Sequence, residues 1–250
     1  LFFSIGIGSK CWCDEFHFRD VLIGERSAGM GGAYVAIADD PSGIWHNPAG
    51  ILFSFEDYFS LSAQVYTHSE QLFKNVINEQ DYKYKSSGLI PNFFGVTQNY
   101  RKSKWGFALV VPASDVFDQD DSIANISSAP SASKDLRRRF FRQNNVMMIG
   151  PAFATEVFKD FSVGVSLFNG YHVDKAIDNQ FITYNRAVGS SQDLFLAQET
   201  VIDKLTYFVM PKIGIQWMPW PKISIGGVWS RKYQTYSKGL LRVTQMSNGK

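Results

Sequence analysis

From about residue 55 onward, apolar side chains alternate with small or polar ones in segments of ~10 residues, the pattern of strands with two unlike faces. In 105–111, Trp105, Phe107, Leu109 and Val111 share one face, and Gly106, Ala108 and Val110 the other. In 161–167, Phe161, Val163, Val165 and Leu167 oppose Ser162, Gly164 and Ser166. Phe59, Leu61, Ala63 and Val65 oppose Ser60, Ser62 and Gln64. Further on, Tyr207, Val209, Ile213, Ile215 and Trp217 oppose Lys212, Gly214 and Gln216, and Ile223 and Ile225 oppose Ser224 and Gly226. The rhythm predicts seven strands, at about 57–67, 89–101, 104–112, 145–157, 161–173, 205–218 and 222–233.

A soluble sandwich also alternates, so the connections matter. Lys102-Ser103-Lys104, Lys159-Asp160 and Pro219-Trp220-Pro221-Lys222 read as tight turns. Alternating with them along the chain, the polar stretches at about 68–87, 114–143 and 175–204 read as long loops. Every second connection is then long, as in a chain passing up and down through a membrane with tight turns on one side. A soluble domain rarely holds three unstructured connections of such length. The expected fold is all-β, an antiparallel transmembrane barrel of which about seven strands are visible. The polar end Met246-Ser247-Asn248-Gly249-Lys250, without a terminal aromatic strand, favours a fragment whose closing strands lie elsewhere.

Composition fits that expectation. The chain has 21 Phe, 11 Tyr and 6 Trp, enough rings for a core or for the aromatic girdles of a membrane barrel. The formal net charge of +2 and the lack of a long basic run argue against nucleic acid. Arg137-Arg138-Arg139 with Arg142 reads as a solvated loop, with a small acid-binding patch as the alternative. No apolar run reaches the roughly 18 residues of a spanning helix. Residues 1–13, opening Leu1-Phe2-Phe3, read as the remnant of an export leader. Lys10 before Cys11 argues against a lipoprotein site. Cys11 and Cys13 are poorly spaced to bridge each other, and no His or Cys cluster completes a metal site.

Residues 24–50 carry a resemblance. Gly24, Arg26, Gly29, Met30, Gly31, Gly32, Ala33, Ala36, Asp39, Asp40, Asn47, Pro48, Ala49 and Gly50 resemble the N-terminal signature of the FadL / toluene-transporter family of outer-membrane channels. They are equally similar to PorV/PorQ-type barrel proteins. The resemblance implies a barrel of about fourteen strands, blocked inside by a small N-terminal hatch, that admits long-chain fatty acids or aromatic hydrocarbons. Residues 14–50 would supply that hatch and 51–250 the first part of the barrel. Gly29, Gly31, Gly32, Asp39, Asp40, Asn47, Pro48 and Ala49 are the expected hatch motif.

The residues agree in part. The glycines let backbone approach a neighbouring wall. Ala33, Ala36 and Ala38, with Val35 and Ile37, make a compact apolar element, and Asp39-Asp40-Pro41-Ser42-Gly43 reads as a turn or helix cap. Pro48 biases Asn47 towards an extended conformation. Rival readings are weaker. Gly29–Gly32 has no strand-then-helix context and no Lys-Ser/Thr ending for phosphate, and Gly6-Ile7-Gly8-Ser9-Lys10 lacks the first glycine of a phosphate loop. Asp39 and Asp40 could meet a cation but are more simply caps, and His46 lacks a nucleophile partner.

The leading expectation is passive uptake of a hydrophobic small molecule across the outer membrane, without catalytic residues, cofactor or metal, and with membrane lipid as a partner. Inward-phase Tyr58, Tyr66, Phe168, Phe208 and Met210 are candidate ligand contacts, and Lys212 could meet a carboxylate or be an ordinary solvated charge. A non-conducting barrel that docks a secretion-system protein through 114–143 and 175–204 is the alternative. A membrane-embedded lipid-modifying enzyme ranks last, with only His17, His46, His68 and His172 to serve it.

Overall fold

The computed structural model describes residues 22–55, 58–77, 80–124, 133–185 and 194–248. Side chains at 58, 63–69, 71, 73, 75–77, 80–91 and 115 fall outside that description. So do residues 1–21, with the expected leader, Cys11, Cys13 and His17. The described chain begins with two short helices, α1 (Glu25–Gly29) and α2 (Gly43–His46), and a 3-10 turn, Pro48–Phe53. Eight strands follow: β1 (Tyr58–Ile77), β2 (Gln80–Tyr100), β3 (Ser103–Ile123), β4 (Ser133–Phe158), β5 (Phe161–Tyr184), β6 (Leu194–Trp220), β7 (Ile223–Ser230) and β8 (Tyr233–Ser247). No described helix is long and apolar enough to cross a membrane, which says nothing of strands.

Consecutive strands pair antiparallel from β1 to β7, and β8 lies beside β6. β7 pairs with Lys212–Trp220 of β6, and β8 with Leu196–Val209. The two are therefore successive halves of one strand, interrupted at Arg231-Lys232. Among the described residues no ladder joins β1 to β7 or β8, so the sheet has two open edges.

The tight turns fall at or beside the expected places, at 101–102, 159–160 and 221–222, with Ser103 and Lys104 already in β3 and Pro219 and Trp220 still in β6. Asp160 holds φ 61°, a left-handed conformation that Asp tolerates better than most residues. The expected long loops do not exist as loops. β1, β2, β3, β4, β5 and β6 run through most of 68–87, 114–143 and 175–204, and reach 27 residues in β6. From Asp115↔Asn144 to Ile123↔Leu136, and from Asp174↔Lys204 to Tyr184↔Leu194, the ladders are unbroken. These segments carry polar groups on both faces, so the alternation that marks a strand is absent although the backbone pairing continues.

Near the tight turns the two faces differ sharply. Ala108, Val110, Met148, Ala152, Ala154, Phe168 and Phe208 are buried against Ile23, Ile44 and Ile51 of the N-terminal segment, forming the core. On the opposite face Trp105, Phe107, Ile149, Val165, Leu167, Ile213, Ile215 and Trp217 stand exposed. One expected position changes sides. Val110 pairs with Met148 and Ala113 with Val146, so Val111 and Pro112 together oppose Met147 in a bulge. That shift takes Val111 off the exposed face of Trp105 and leaves it only 8% accessible.

Candidate functional site

The N-terminal segment has little regular structure to satisfy its own carbonyls, and buried backbone groups need partners. The sheet supplies them. Asn92 Nδ2 donates to the Leu22 carbonyl at 2.8 Å, Ser162 Oγ to Ala49 at 2.9 Å and Ser166 Oγ to Ile44 at 3.2 Å. Ser224 Oγ donates to the Ala36 carbonyl. Lys104, buried, donates through Nζ to the Ser54 carbonyl at 2.8 Å and the Ser54 hydroxyl at 2.7 Å. Lys212 Nζ donates to the Trp45 carbonyl and sits 3.8 Å from the centre of the Trp45 ring. Five strands thus hold the segment by side-chain donors on one face.

Close approach comes from glycine in the wall. A Cβ on Gly164 would lie 2.4 Å from the Ala49 nitrogen and the Pro48 carbonyl carbon, and one on Gly214 only 2.0 Å from Asn47 Oδ1. These two glycines are cross-strand neighbours. Gly106 meets Ile44, and Gly226 meets the backbone of Val35 and Ala36, in the same manner. At Gly164 and Gly226 the opposing atoms are backbone, which cannot give way as a flexible side-chain end can, so those two positions of the belt admit no side chain while the N-terminal segment lies against them.

The expected hatch motif divides into two regions. Asn47, Pro48 and Ala49 sit against this belt, all buried. Asn47 Nδ2 donates to the Val35 carbonyl at 2.8 Å and the Ile215 carbonyl at 3.0 Å, while its Oδ1 accepts from Ala49 N at 3.1 Å. One side chain ties the N-terminal segment to itself and to the sheet. Asp40 accepts from the Ser42 backbone N–H at 2.7 Å and from its hydroxyl at 2.6 Å, a turn-capping role. Asp39 pairs with Arg26 and accepts from the Tyr34 hydroxyl at 3.1 Å. Burial, with the charges of Asp40 and Asp39, pushes the Tyr34 phenol up, so it stays a neutral donor.

Gly29, Gly31 and Gly32 differ from expectation. Nothing lies within 4 Å of a Cβ at Gly29 or Gly31, and at Gly32 only the Leu22 side chain does, so these are not points of close wall contact. Gly31 and Gly32 hold φ 61° and 83°, which marks them as turn glycines.

Among the candidate ligand contacts, Phe168 and Phe208 are fully buried on the face that carries the N-terminal segment, with Met210 packed beside them. Phe168 meets Trp45 edge-on at 5.8 Å. Lys212 is already engaged by Trp45. Tyr58 and Tyr66 belong to β1, but their side chains lie outside the described residues. His46 Nε2 lies 2.8 Å from the Ile23 carbonyl and its ring stands edge-on to Tyr34, a packing role. The arginine run alternates across β4: Arg138 forms a bidentate pair with Asp178 on one face, while Arg139 pairs with Asp118 on the other. Among the described residues no cluster of His, Cys, Asp or Glu could hold a metal ion.

Sequence reading missed the donors Asn92 and Lys104 altogether. It placed Ser162, Gly164, Ser166, Gly214, Ser224 and Gly226 on the small-residue face without linking that face to the N-terminal segment. The signal was the coincidence of glycine with short hydroxyl residues on one side of successive strands. No family model matches the chain, and no curated protein or solved structure matches it either.

Proposed function

We propose that the chain forms wall and plug of an outer-membrane β-barrel of the FadL / toluene-transporter kind, which admits hydrophobic small molecules by passive uptake. The observation that carries this reading is the chemistry of the face turned away from the plug. Phe161 and Trp217 pair at one level, Tyr171 and Tyr207 at another ten residues along, and Tyr236 extends the second row. Between the rows that face of β5 and β6 carries Val163, Val165, Leu167, Ile215, Ile213, Pro211 and Val209, with Asn169 beside the tyrosine row and no charge. Ten residues span roughly 33 Å of strand, and a tilt of about 45° reduces that to roughly 23 Å, close to the apolar band between aromatic girdles in a membrane barrel. Beyond the tyrosines the same face turns charged, with Lys175 near Asp203 and Arg242 near Glu199.

On this reading the opposite face lines a lumen, and the plug fills its lower part. Phe168, Phe208 and Met210 become ligand contacts only when the plug shifts, which requires Lys212 to release the Trp45 carbonyl. Apolar burial of about 25 cal/mol per Å² favours entry of the ligand. The test is uptake of radiolabelled palmitate and toluene by cells with and without the gene, beside extraction of the purified protein for retained lipid. Lower uptake of either compound on deletion is expected, and unchanged uptake of both would count decisively against transport.

One observation favours a second reading, a non-conducting barrel that docks a secreted protein: Trp45 of the N-terminal segment already occupies Phe168 and Lys212. Co-purification of a secreted partner with a lipid-free protein would decide for it.

A further inference from the structure

Where the uncharged band ends, three strands present a small grid on the exposed face. Its first row is Tyr171, Tyr207 and Tyr236, its second Val173, Leu205 and Lys238, and its third Lys175, Asp203 and Leu240. The second and third rows enclose a groove of about 450 Å³ on the surface, with Val173, Leu205 and Leu240 as apolar walls. Asp203 lies 4.0 Å from Lys175, both half exposed, and offsets only one of the two ammonium groups. Lys238 makes no ion pair among the described residues. With strands ~4.8 Å apart and a rise of ~3.3 Å per residue, the Lys175 and Lys238 backbones stand roughly 12 Å apart, across Leu205. Two lysine side chains can close that span on a single anion.

We infer that this groove is a binding site for the phosphate-bearing headgroup of an outer-leaflet lipid. The inference rests on the membrane reading above, because it uses the tyrosine row as the hydrocarbon boundary. Three features select the occupant. The groove carries a net positive charge and so suits an anion. Its walls are apolar, which suits a glycerol or sugar backbone with acyl chains rather than a free ion. Across the tyrosine row it also faces the uncharged surface of Leu167, Ile213 and Trp229, along which acyl chains can lie. Phenols and lysines at one level are the usual anchors of the headgroup region.

The full chain, inserted into phosphatidylcholine vesicles doped with lipid A, provides the test. Native mass spectrometry after detergent extraction compares bisphosphorylated lipid A with its dephosphorylated form. The wild type is expected to retain the phosphorylated form preferentially, and K175Q/K238Q to lose roughly tenfold in that retention, with K175R/K238R restoring it. Equal retention of the two forms, or no change in K175Q/K238Q, overturns the headgroup site while leaving the membrane reading intact. A chain that stays in the aqueous phase and never enters the vesicles overturns both. Because both lysines are solvent-facing, unchanged circular dichroism in K175Q/K238Q is expected and separates a lost site from a lost fold.

Discussion

The same strands behave differently at their two ends. Near the tight turns, one face is rich in glycine, alanine and serine pressed on the N-terminal segment, and the other is mostly apolar and exposed. Towards the far end both faces are mixed, stitched by Arg138–Asp178 on one side and by Lys175–Asp203 and Arg139–Asp118 on the other. Across β4–β5, between Asp135 and Glu156, and across all of β5–β6 the backbone ladder runs in constant register. Hydrophobic alternation therefore reports the surroundings of a strand and not its existence, since main-chain hydrogen bonds form wherever neighbours are in register.

The strongest way to break this contrast is to add side chains to the glycine belt. G164V/G214V is expected to cost roughly 4 kcal/mol or more, because overpacking costs ~1–3 kcal/mol per site and more where backbone blocks relief. Gly239→Val in the far half, where a Cβ meets Lys204 at an ordinary 3.8 Å, is expected to stay within about 0.5 kcal/mol. Urea unfolding of the two variants measures the difference, and equal losses would erase the distinction between the halves.

A charge on the bare face comes next. Leu167→Arg is expected to lose about 2–4 kcal/mol in vesicle folding titrations, against about 0–1 kcal/mol for Phe181→Arg beyond the tyrosine row. Similar costs at both positions would mean that no hydrocarbon covers Leu167.

Asn47→Ala removes a buried side chain with three hydrogen bonds and leaves the Val35 and Ile215 carbonyls without that donor. About 2 kcal/mol of plug stability should go. The effect is read as faster proteolysis at Arg26 with the strands still protected, and uniform loosening of the whole sheet would refute a separate plug.

The smallest effect belongs to the far half. Burial works to raise the Asp178 carboxyl, but hydrogen bonds from Arg138 and Gln180 and the Arg138 charge outweigh it and hold it below the usual carboxylate range. A depressed folded value means this stabilisation is present above the unfolded pKa of ~3.9. It is lost as pH falls below that and through the folded value. A change under about 1 kcal/mol is expected, visible as movement of the Arg138 Nε–H NMR signal on acidification and absent in Asp178→Asn.

The two ends were unequally legible in the sequence. At Trp105–Leu109 and Phe161–Leu167 the faces meet such different neighbours that the period of two stands out. At Asp115–Ile123 and Asp174–Tyr184 nothing distinguishes the faces, and the segments read as loops. Val111 misled because a bulge changes phase without a mark in composition. In the plug, Asp40 announced its cap, since an Asp two residues before a Ser bonds locally. Gly31 and Gly32 announced only conformational freedom, and the glycines that make room, Gly106, Gly164, Gly214 and Gly226, lie more than seventy residues away.

That separation has a bearing on assembly. The plug's bonds reach from Ala36 to Ser224 and from Asn47 to Ile215, 188 and 168 positions apart. Closing loops of that size before any local gain is slow, and two short helices offer no independent nucleus. A segment made before all five of its strands must therefore be the last to find its shape, waiting as loose chain until they have been laid down around it.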